Sequence, residues 1–519
     1  MTHDPRARHC AERAPTRFAL ADTDDRSLGR LNVCLVDLCY STRYPNLSVG
    51  YLVSAMRASD IGVSVVSPLS VGAKGFARDH TETWRDDVLR RIYFSTAPLF
   101  AQRHDSLRAI WHRMVYGRAD PKIVSAVRNS LTSRTVDLLM VSTYLDQYPS
   151  VKEIGAMAQR IGVPLLVGGA MFNHPDISRA WLDIPGLVAI VGAETDFSIV
   201  RIVRDAVARK DLSARPGIFL PDGRCGPKPA PLADISRLPL PDFSDFPWEN
   251  NEHRVVPIMT GRGCHWEKCL FCSDVTSVSG TSFRSRGLDS VCTELRTIRK
   301  RYGADSVVFL DMKLNSDLRV WYGVIERYQG LLPGGMWIGT VHVDRRDDNG
   351  LSPATLAMAR KSGMRRISCG LETGSQRLAN RMAKGADVDR MGRFLEDAKT
   401  AGISTRTTMM LGFPGETDKD LELTLRFLEQ HANALDRVRI GRFKPIPGTL
   451  FDKQLARKPA LFPGFSGVNW NFRYGRGSYE YVPARARNYR RMKSRILDVI
   501  HQINSRPLPD EARMFNGLM

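Results

Sequence analysis

At 519 residues the chain is too long for one ordinary core, so two or three domains are expected. Its 43% hydrophobic and 25% charged content is that of a soluble globular protein, and no apolar run reaches the roughly 18 to 20 residues of a membrane span. The net charge of +20 invites a nucleic-acid reading. The excess is uneven, however: residues 456–519 hold 12 Lys and Arg against 4 Asp and Glu, so an arginine-rich surface is preferred and nucleic acid is not expected as a partner.

The opening stretch MTHDPRARHCAERAPTR has arginines but no apolar core, which reads as a disordered tail over 1–30 and not as a secretory signal. Nine cysteines, an odd number with only three clustered, argue against a disulfide framework and for a reducing cytoplasm. From Leu31 the pattern turns to strands alternating with helices: LNVCLVDL (31–38), GVSVVSP (62–68), VDLLMVSTY (136–144), PLLVGGAM (164–171) and LVAIVGAE (187–194). Near-continuous apolar strands with helical sequence between them imply a doubly wound parallel sheet, Rossmann- or flavodoxin-like, over 31–215. Residues 69–134 interrupt it with amphipathic helical sequence, read as an insertion. A Pro/Asp-rich linker over 216–252 favours extended backbone.

A second α/β stretch covers 253–455. Its strands are VVPIMTGRG (255–263), SVVFLDM (306–312), MWIGTVHV (336–343), RRISCGLET (365–373), STRTTMMLGF (404–413) and RVRIGRFKP (437–445). Six such repeats suggest a partial (β/α)6 barrel, whose chemistry belongs at the C-terminal strand ends. The remaining extension, 456–519, contains an aromatic and arginine-rich run and then a small helical segment near 486–503. It suits either closure of a site or structural packing.

The strongest chemical signal is Cys264-His-Trp-Glu-Lys-Cys269-Leu-Phe-Cys272. Three thiolates this close, directly after the first barrel strand, can ligate three irons of a [4Fe–4S] cubane and leave the fourth open to a small molecule. A structural zinc site would want four ligands, and only His265 is nearby at a poor spacing; inert buried cysteines are the other alternative.

MTGRGCHWEKCLFCS resembles the cluster loop of radical SAM enzymes, which bind S-adenosylmethionine (SAM) at the open iron. The gap between the first two cysteines holds four residues where that family usually has three. The resemblance implies that Phe271 packs near the adenine and that Asp311, at the end of the second strand, holds the SAM amino group. Gly370-Leu371-Glu372-Thr373 is similar to the family's G-x-E-[ST], associated with the ribose and methionyl parts. Met382-Ala-Lys384-Gly385, Gly412-Phe-Pro414-Gly415-Glu416-Thr417 and Pro445-Ile-Pro447-Gly448-Thr449 follow in the family's order. Gly370, Glu372, Thr373, Gly412, Pro414 and Gly415 are therefore further SAM candidates, although turn and capping roles explain such residues equally well.

Residues 137–174 resemble the cobalamin-binding domain that precedes many radical SAM barrels, and 187–203 its next strand and acidic turn. Ser142, Thr143, Gly168, Gly169, Gly192 and Glu194 are the implied cobalamin contacts, at strand ends where an open α/β sheet takes its ligands. A plain flavodoxin-like fold without cofactor is the alternative. None of the eleven histidines has Asp two residues before it, so the D-x-H-x-x-G motif that ligates cobalt is lacking and a base-off corrinoid is expected; His174 is an outside candidate. The resemblance implies C-methylation of an unactivated carbon, on a natural-product or peptide intermediate. In that scheme one SAM supplies the methyl group and another a 5′-deoxyadenosyl radical, with an external flavodoxin or ferredoxin as electron donor. Cyclisation, ring contraction or oxidation on the same cofactors is the alternative, and a non-catalytic corrinoid- or RNA-binding protein a remote one.

Overall fold

The computed structural model describes residues 30–40, 43–73, 80–96, 118–251, 253–463, 465, 467–479 and 486–518. The expected tail lies outside the described residues except for Arg30, as do parts of 69–134 and of 456–519.

Strands β1 (Asn32–Asp37), β2 (Gly62–Val66), β3 (Leu138–Ser142), β4 (Leu165–Gly168), β5 (Leu187–Val191) and β6 (Ile218–Phe219) form one sheet in the order β2-β1-β3-β4-β5-β6. The first five are parallel and β6 is antiparallel on the edge. Period-two alternation divides each strand between two cores. Cys34, Val36, Leu139 and Val141 meet helices Pro121–Ser133 and Tyr148–Ile161 on one face. Val33, Leu35, Leu138 and Met140 meet helices Leu47–Arg57 and Ile199–Val207 on the other. The strand order reverses between β1 and β3, which opens a crevice beyond their carboxyl ends.

Two readings need correction. The segment 69–134 is not one insertion: Pro121–Ser133 is the crossover helix that packs on β1 and β2. Helix Trp84–Phe94 instead leaves the first sheet and joins the second core through Phe94. Lys493 Nζ donates to Phe94 O at 2.6 Å and Asn504 Nδ2 to Glu82 Oε1 at 2.7 Å. An amphipathic pattern marks a face to be buried but does not say against which sheet. Nor is 216–252 simply a linker. β6 closes the first sheet, and Ile235, Leu238, Phe243 and Trp248 are buried in the barrel's core. Arg57 ties Asp242 and Asp245 to helix Leu47–Arg57 at 2.8 and 2.6 Å.

The second sheet is six-stranded and parallel throughout: β7 (Val255–Ile258), then β10 (Ser306–Phe309), β11 (Met336–Val341), β12 (Met364–Glu372), β13 (Ser404–Leu411) and β14 (Arg437–Arg442), in the order β14-β13-β12-β11-β10-β7. It is the expected partial barrel. Between β7 and β10 a short antiparallel hairpin, β8 (Gly261–Arg262) with β9 (Arg284–Ser285), encloses the three-cysteine loop. Helix Arg487–Asn504 is part of the core and not an appendage: Ile496, Leu497, Ile500 and Ile503 are buried with the barrel residues. Phe515 and Leu518 pack against Val308 and Ile338 on the opposite strand face.

The two domains meet through charge. Arg262 of β8 makes a bidentate pair with Asp196 at 2.8 Å to each oxygen and reaches Glu194 at 3.2 Å, while Arg284 of β9 holds Glu194 at 2.7 Å. All four side chains are at most 10% exposed. Removing one member of a buried pair strands the other. Arg262→Ala is expected to cost about 3–5 kcal/mol, read as a lowered midpoint in chemical denaturation, and Arg262→Lys to cost less.

Glu416 closes the turn after β13. It accepts Gly412 N at 2.7 Å and a short hydrogen bond from Tyr489 of the C-terminal helix. Burial pushes its carboxyl up to about 7. Below the unfolded value of 4.5 the group is neutral in both states. As pH rises, the unfolded chain releases its proton first, so folding stability falls until the folded group also ionises. Relative to Glu416→Gln, the wild type is expected to lose up to about 3 kcal/mol between pH 4.5 and 7, measured by denaturation at fixed pH values.

Candidate active site

β7 ends at Ile258, and the chain turns out of the sheet at Thr260 because Asp311 holds it there. Asp311 accepts Thr260 N at 3.0 Å, Thr260 Oγ1 at 2.6 Å and Gly261 N at 2.9 Å. Its buried carboxyl is pushed up to about 6 by desolvation, against those three bonds. Asp311 thus anchors the root of the cysteine loop. Gly263 has φ 86°, and a Cβ there would press on the Ser282 and Thr281 carbonyls, so only glycine passes. Within the first cysteine gap Glu267 has φ 51°, and its carboxylate accepts Ser282 N.

The loop's far side is clamped by the Met382–Gly385 turn. Trp266 Nε1 donates to Ala383 O at 2.7 Å, and Leu270 N to Met382 O at 3.0 Å. Gly385, with φ 70°, lies where a Cβ would overlap the Trp266 ring. The clamp leaves Cys264 and Cys269 buried and Cys272 partly so. Burial pushes the Cys272 thiol up to about 12, helped by Asp274; it also raises Cys269, against the nearby ammonium groups of Lys384 and Lys313. Thiolates here need cations or metal to form. Among the described residues no three His, Cys, Asp or Glu side chains gather tightly enough for a single ion. A cubane spreads its thiolates over three different irons, and this loop offers three thiols whose charges act on one another. Beside them Lys313 Nζ is buried without a completed hydrogen bond. The donor set fits a three-thiolate cluster.

The SAM candidates separate into two groups. Phe271, Gly370 and Glu372 gather around Lys384. Its Nζ stands 5.7 Å from the centre of the Phe271 ring and 3.1 Å from Glu372 Oε1, and a Cβ on Gly370 would meet both Glu372 and Lys384. Glu372 is held at φ 64°, a costly conformation for a non-glycine residue and one met at ligand sites. The others make bonds within the scaffold. Thr373 Oγ1 bonds Thr424 Oγ1 at 3.1 Å and receives Ser375 N, Gly412 O accepts Tyr479 OH at 2.8 Å, and Pro414 O accepts Arg381 Nε at 2.9 Å. Gly415 has φ 93° and packs under Arg381.

A cavity of about 480 Å³ lies between the domains. The first sheet gives it the ends of β1, β3, β4 and β5, including Asp37, Ser142, Thr143, Gly168, Gly169, Gly192 and Glu194. The barrel gives it Met259, Gly261–Gly263, Leu310 and Met312. All six cobalamin candidates therefore share one wall, but their roles differ. Gly169 and Gly192 are glycines because Cβ atoms would collide with the Thr143 and Phe172 carbonyls; the close approach is to their own chain. Glu194 is spent on Arg262, Arg284 and Leu232 N. His174 stacks on Phe472 and does not line the cavity. Asp37, Asn46 and Tyr51 were not singled out. Asp37 ends a buried strand exactly as Ser142 does, so strand-end position was the available signal; its carboxyl, raised to about 6 by burial, accepts Asn46 Nδ2 at 3.0 Å.

Residues 258–428 match the radical SAM superfamily. Over 385 residues the chain is 24% identical to an uncharacterized methyltransferase of Pyrococcus horikoshii, covering 70% of this chain and 80% of that protein. Its fold is similar to that of OxsB, a cobalamin-dependent SAM radical enzyme solved with aqua-cobalamin, with TM-score 0.66 and 16% identity; the match covers 87% of this chain and 65% of OxsB. It is also similar to TsrM of Kitasatospora setae, a radical SAM methyltransferase solved with cobalamin and a [4Fe–4S] cluster, with TM-score 0.59 and 16% identity over 85% of this chain and 81% of TsrM. With its cysteine loop rooted on the first strand of a six-stranded barrel behind a doubly wound domain, the chain carries a radical SAM domain over 258–428 and has the fold of OxsB and TsrM.

Proposed function

We propose that the protein is a cobalamin-dependent radical SAM C-methyltransferase acting on an unactivated carbon of a natural-product or peptide intermediate. The observation that carries this reading is the cavity shared by the carboxyl ends of β1, β3, β4 and β5 and the residues just before Cys264. Transfer between two cofactors needs their reacting atoms within a few ångströms of one substrate, and this cavity is lined from both domains. When bound, the cluster with SAM supplies a carbon-centred radical and the corrinoid supplies a methyl carrier.

The chain's own part is to hold and to exclude. Cys264, Cys269 and Cys272 would hold the cluster, with Lys313 and Lys384 offsetting thiolate charge. Phe271, Gly370 and Glu372 are the SAM contacts we favour; Asp311, Thr373, Gly412, Pro414 and Gly415 support the loops that carry them. Gly168 and Ser142 line the wall where a corrinoid tail would lie. Because the sequence lacks the D-x-H motif and His174 faces Phe472, the corrinoid should be base-off. A flavodoxin- or ferredoxin-class donor in a reducing cytoplasm would supply the electron.

Anaerobic reconstitution is expected to load about four irons per chain, and replacing all three cysteines by Ala to abolish that iron; iron retained by the triple variant overturns the cluster assignment. The loaded protein should retain hydroxocobalamin through gel filtration with a base-off spectrum. Failure to retain a corrinoid overturns the cobalamin reading. With its substrate, turnover should give methylated product, S-adenosylhomocysteine and 5′-deoxyadenosine in comparable amounts. Deoxyadenosine without S-adenosylhomocysteine would instead mark cyclisation, ring contraction or oxidation.

A further inference from the structure

Among the described residues, four charged side chains line the cavity between the domains: Asp37, Glu194, Asp196 and Arg262. Three of them answer one another, since Arg262 pairs with Asp196 at 2.8 Å and with Glu194 at 3.2 Å. Asp37 stands apart from that joint. It ends β1, which β3 and β4 separate from β5 and from the loop that carries Glu194 and Asp196.

Asp37 is only 6% exposed and lines the cavity. Its hydrogen bonds fall on one oxygen: Oδ1 accepts Cys39 N at 3.1 Å and Asn46 Nδ2 at 3.0 Å. Both donors belong to the turn between β1 and helix Leu47–Arg57, so the carboxyl is oriented by its own loop. Among the described residues Oδ2 bonds to nothing, yet it is not sealed away from the cavity. Burial raises this carboxyl to about 6, and above that pH it is an anion that can only accept. A buried anion with one oxygen unused is costly unless a donor reaches it.

Ser142 lies in register with Asp37 on β3, and Gly168 lies in register with Ser142 on β4. Those two residues form the wall proposed above for the corrinoid's tail. A corrinoid offers such a wall two sorts of group: the phosphate and ribose of its tail, and the carboxamides around its ring. A carboxylate repels the phosphate and accepts N–H from a carboxamide. Asp37 therefore suits the edge of the ring, one strand beyond the tail wall. The same charge acts against a corrinoid whose carboxamide there is hydrolysed, because two carboxylates would then meet away from water.

We propose that Asp37 selects the corrinoid: its Oδ2 accepts an N–H from a carboxamide of the ring, so that the site takes the amidated cofactor and rejects the form bearing a carboxylate at that position. The inference rests on the cobalamin reading and deepens it by naming the chemistry that the first domain recognises. Asp37 binds and discriminates, and no bond is made or broken at it.

The test uses the iron-loaded full chain at alkaline pH. Hydroxocobalamin and its separated monocarboxylate isomers, each with a single propionamide hydrolysed to the acid, are titrated by the change in corrinoid absorbance. The wild type is expected to bind hydroxocobalamin, to bind one isomer about tenfold or more weakly, and to retain the others. Asp37→Asn keeps an acceptor for Cys39 N and Asn46 and turns a donor to the cavity, so it should bind that isomer as well as it binds hydroxocobalamin. Iron content and unfolding midpoint should stay those of the wild type. Isomers that all bind like hydroxocobalamin overturn the proposal, as does an isomer whose weakness persists in Asp37→Asn. Hydroxocobalamin bound by neither protein overturns the cobalamin reading, and the proposal with it. Should Asp37→Asn not fold, Asp37→Ser, which also removes the charge, is read against the same isomers with the same outcomes.

Discussion

Arg262 stands two residues before the first cluster cysteine, and its guanidinium is held by Asp196 and Glu194 of the other domain. One side chain therefore joins the loop that would carry iron to the turn that closes the first sheet. Guanidinium suits the task because its planar fork meets a carboxylate in two parallel bonds, fixing orientation as well as distance. Its face also lies 5.6 Å from the Tyr51 ring centre, which ties in helix Leu47–Arg57. Desolvated charge on both sides leaves the two domains little freedom to slide, since each partner alone would be a buried unpaired ion. The cavity between them has defined walls for that reason.

Around this joint the loops are held by backbone and not by side-chain packing alone. Asp311 collects two amides and a hydroxyl at the loop root, and the Met382–Gly385 turn takes Trp266 and Leu270 at its far side. Several residues that the motifs mark as ligand contacts also hold the loops together. Asp311, Thr373, Gly412, Pro414 and Glu416 each bond to another part of the chain. Glu372, strained at φ 64°, is held by Lys384 and Thr408 beside the cysteine loop.

Short-range physics accounts for what was legible along the chain. Apolar strands such as LNVCLVDL and SVVFLDM, spaced by helices of fitting length, determined two parallel sheets, because strand period and crossover geometry are local properties. Three cysteines within nine residues determined a cluster loop, since the ligands are neighbours in the chain. The strand-end positions of Ser142, Gly168 and Glu194 put them on one cavity wall for the same reason. What only the tertiary structure decided is where polar atoms and amphipathic faces are spent. Helix Trp84–Phe94 reads as an insertion, yet its partner is a helix some 400 residues later. Glu194 reads as a ligand contact, yet its partners Arg262 and Arg284 belong to the other domain. His342 has no motif at all, and it is buried only because the strand ends of the barrel enclose it. Sequence carries the period of each element and the spacing of near neighbours; which distant group satisfies a given charge depends on the closed fold.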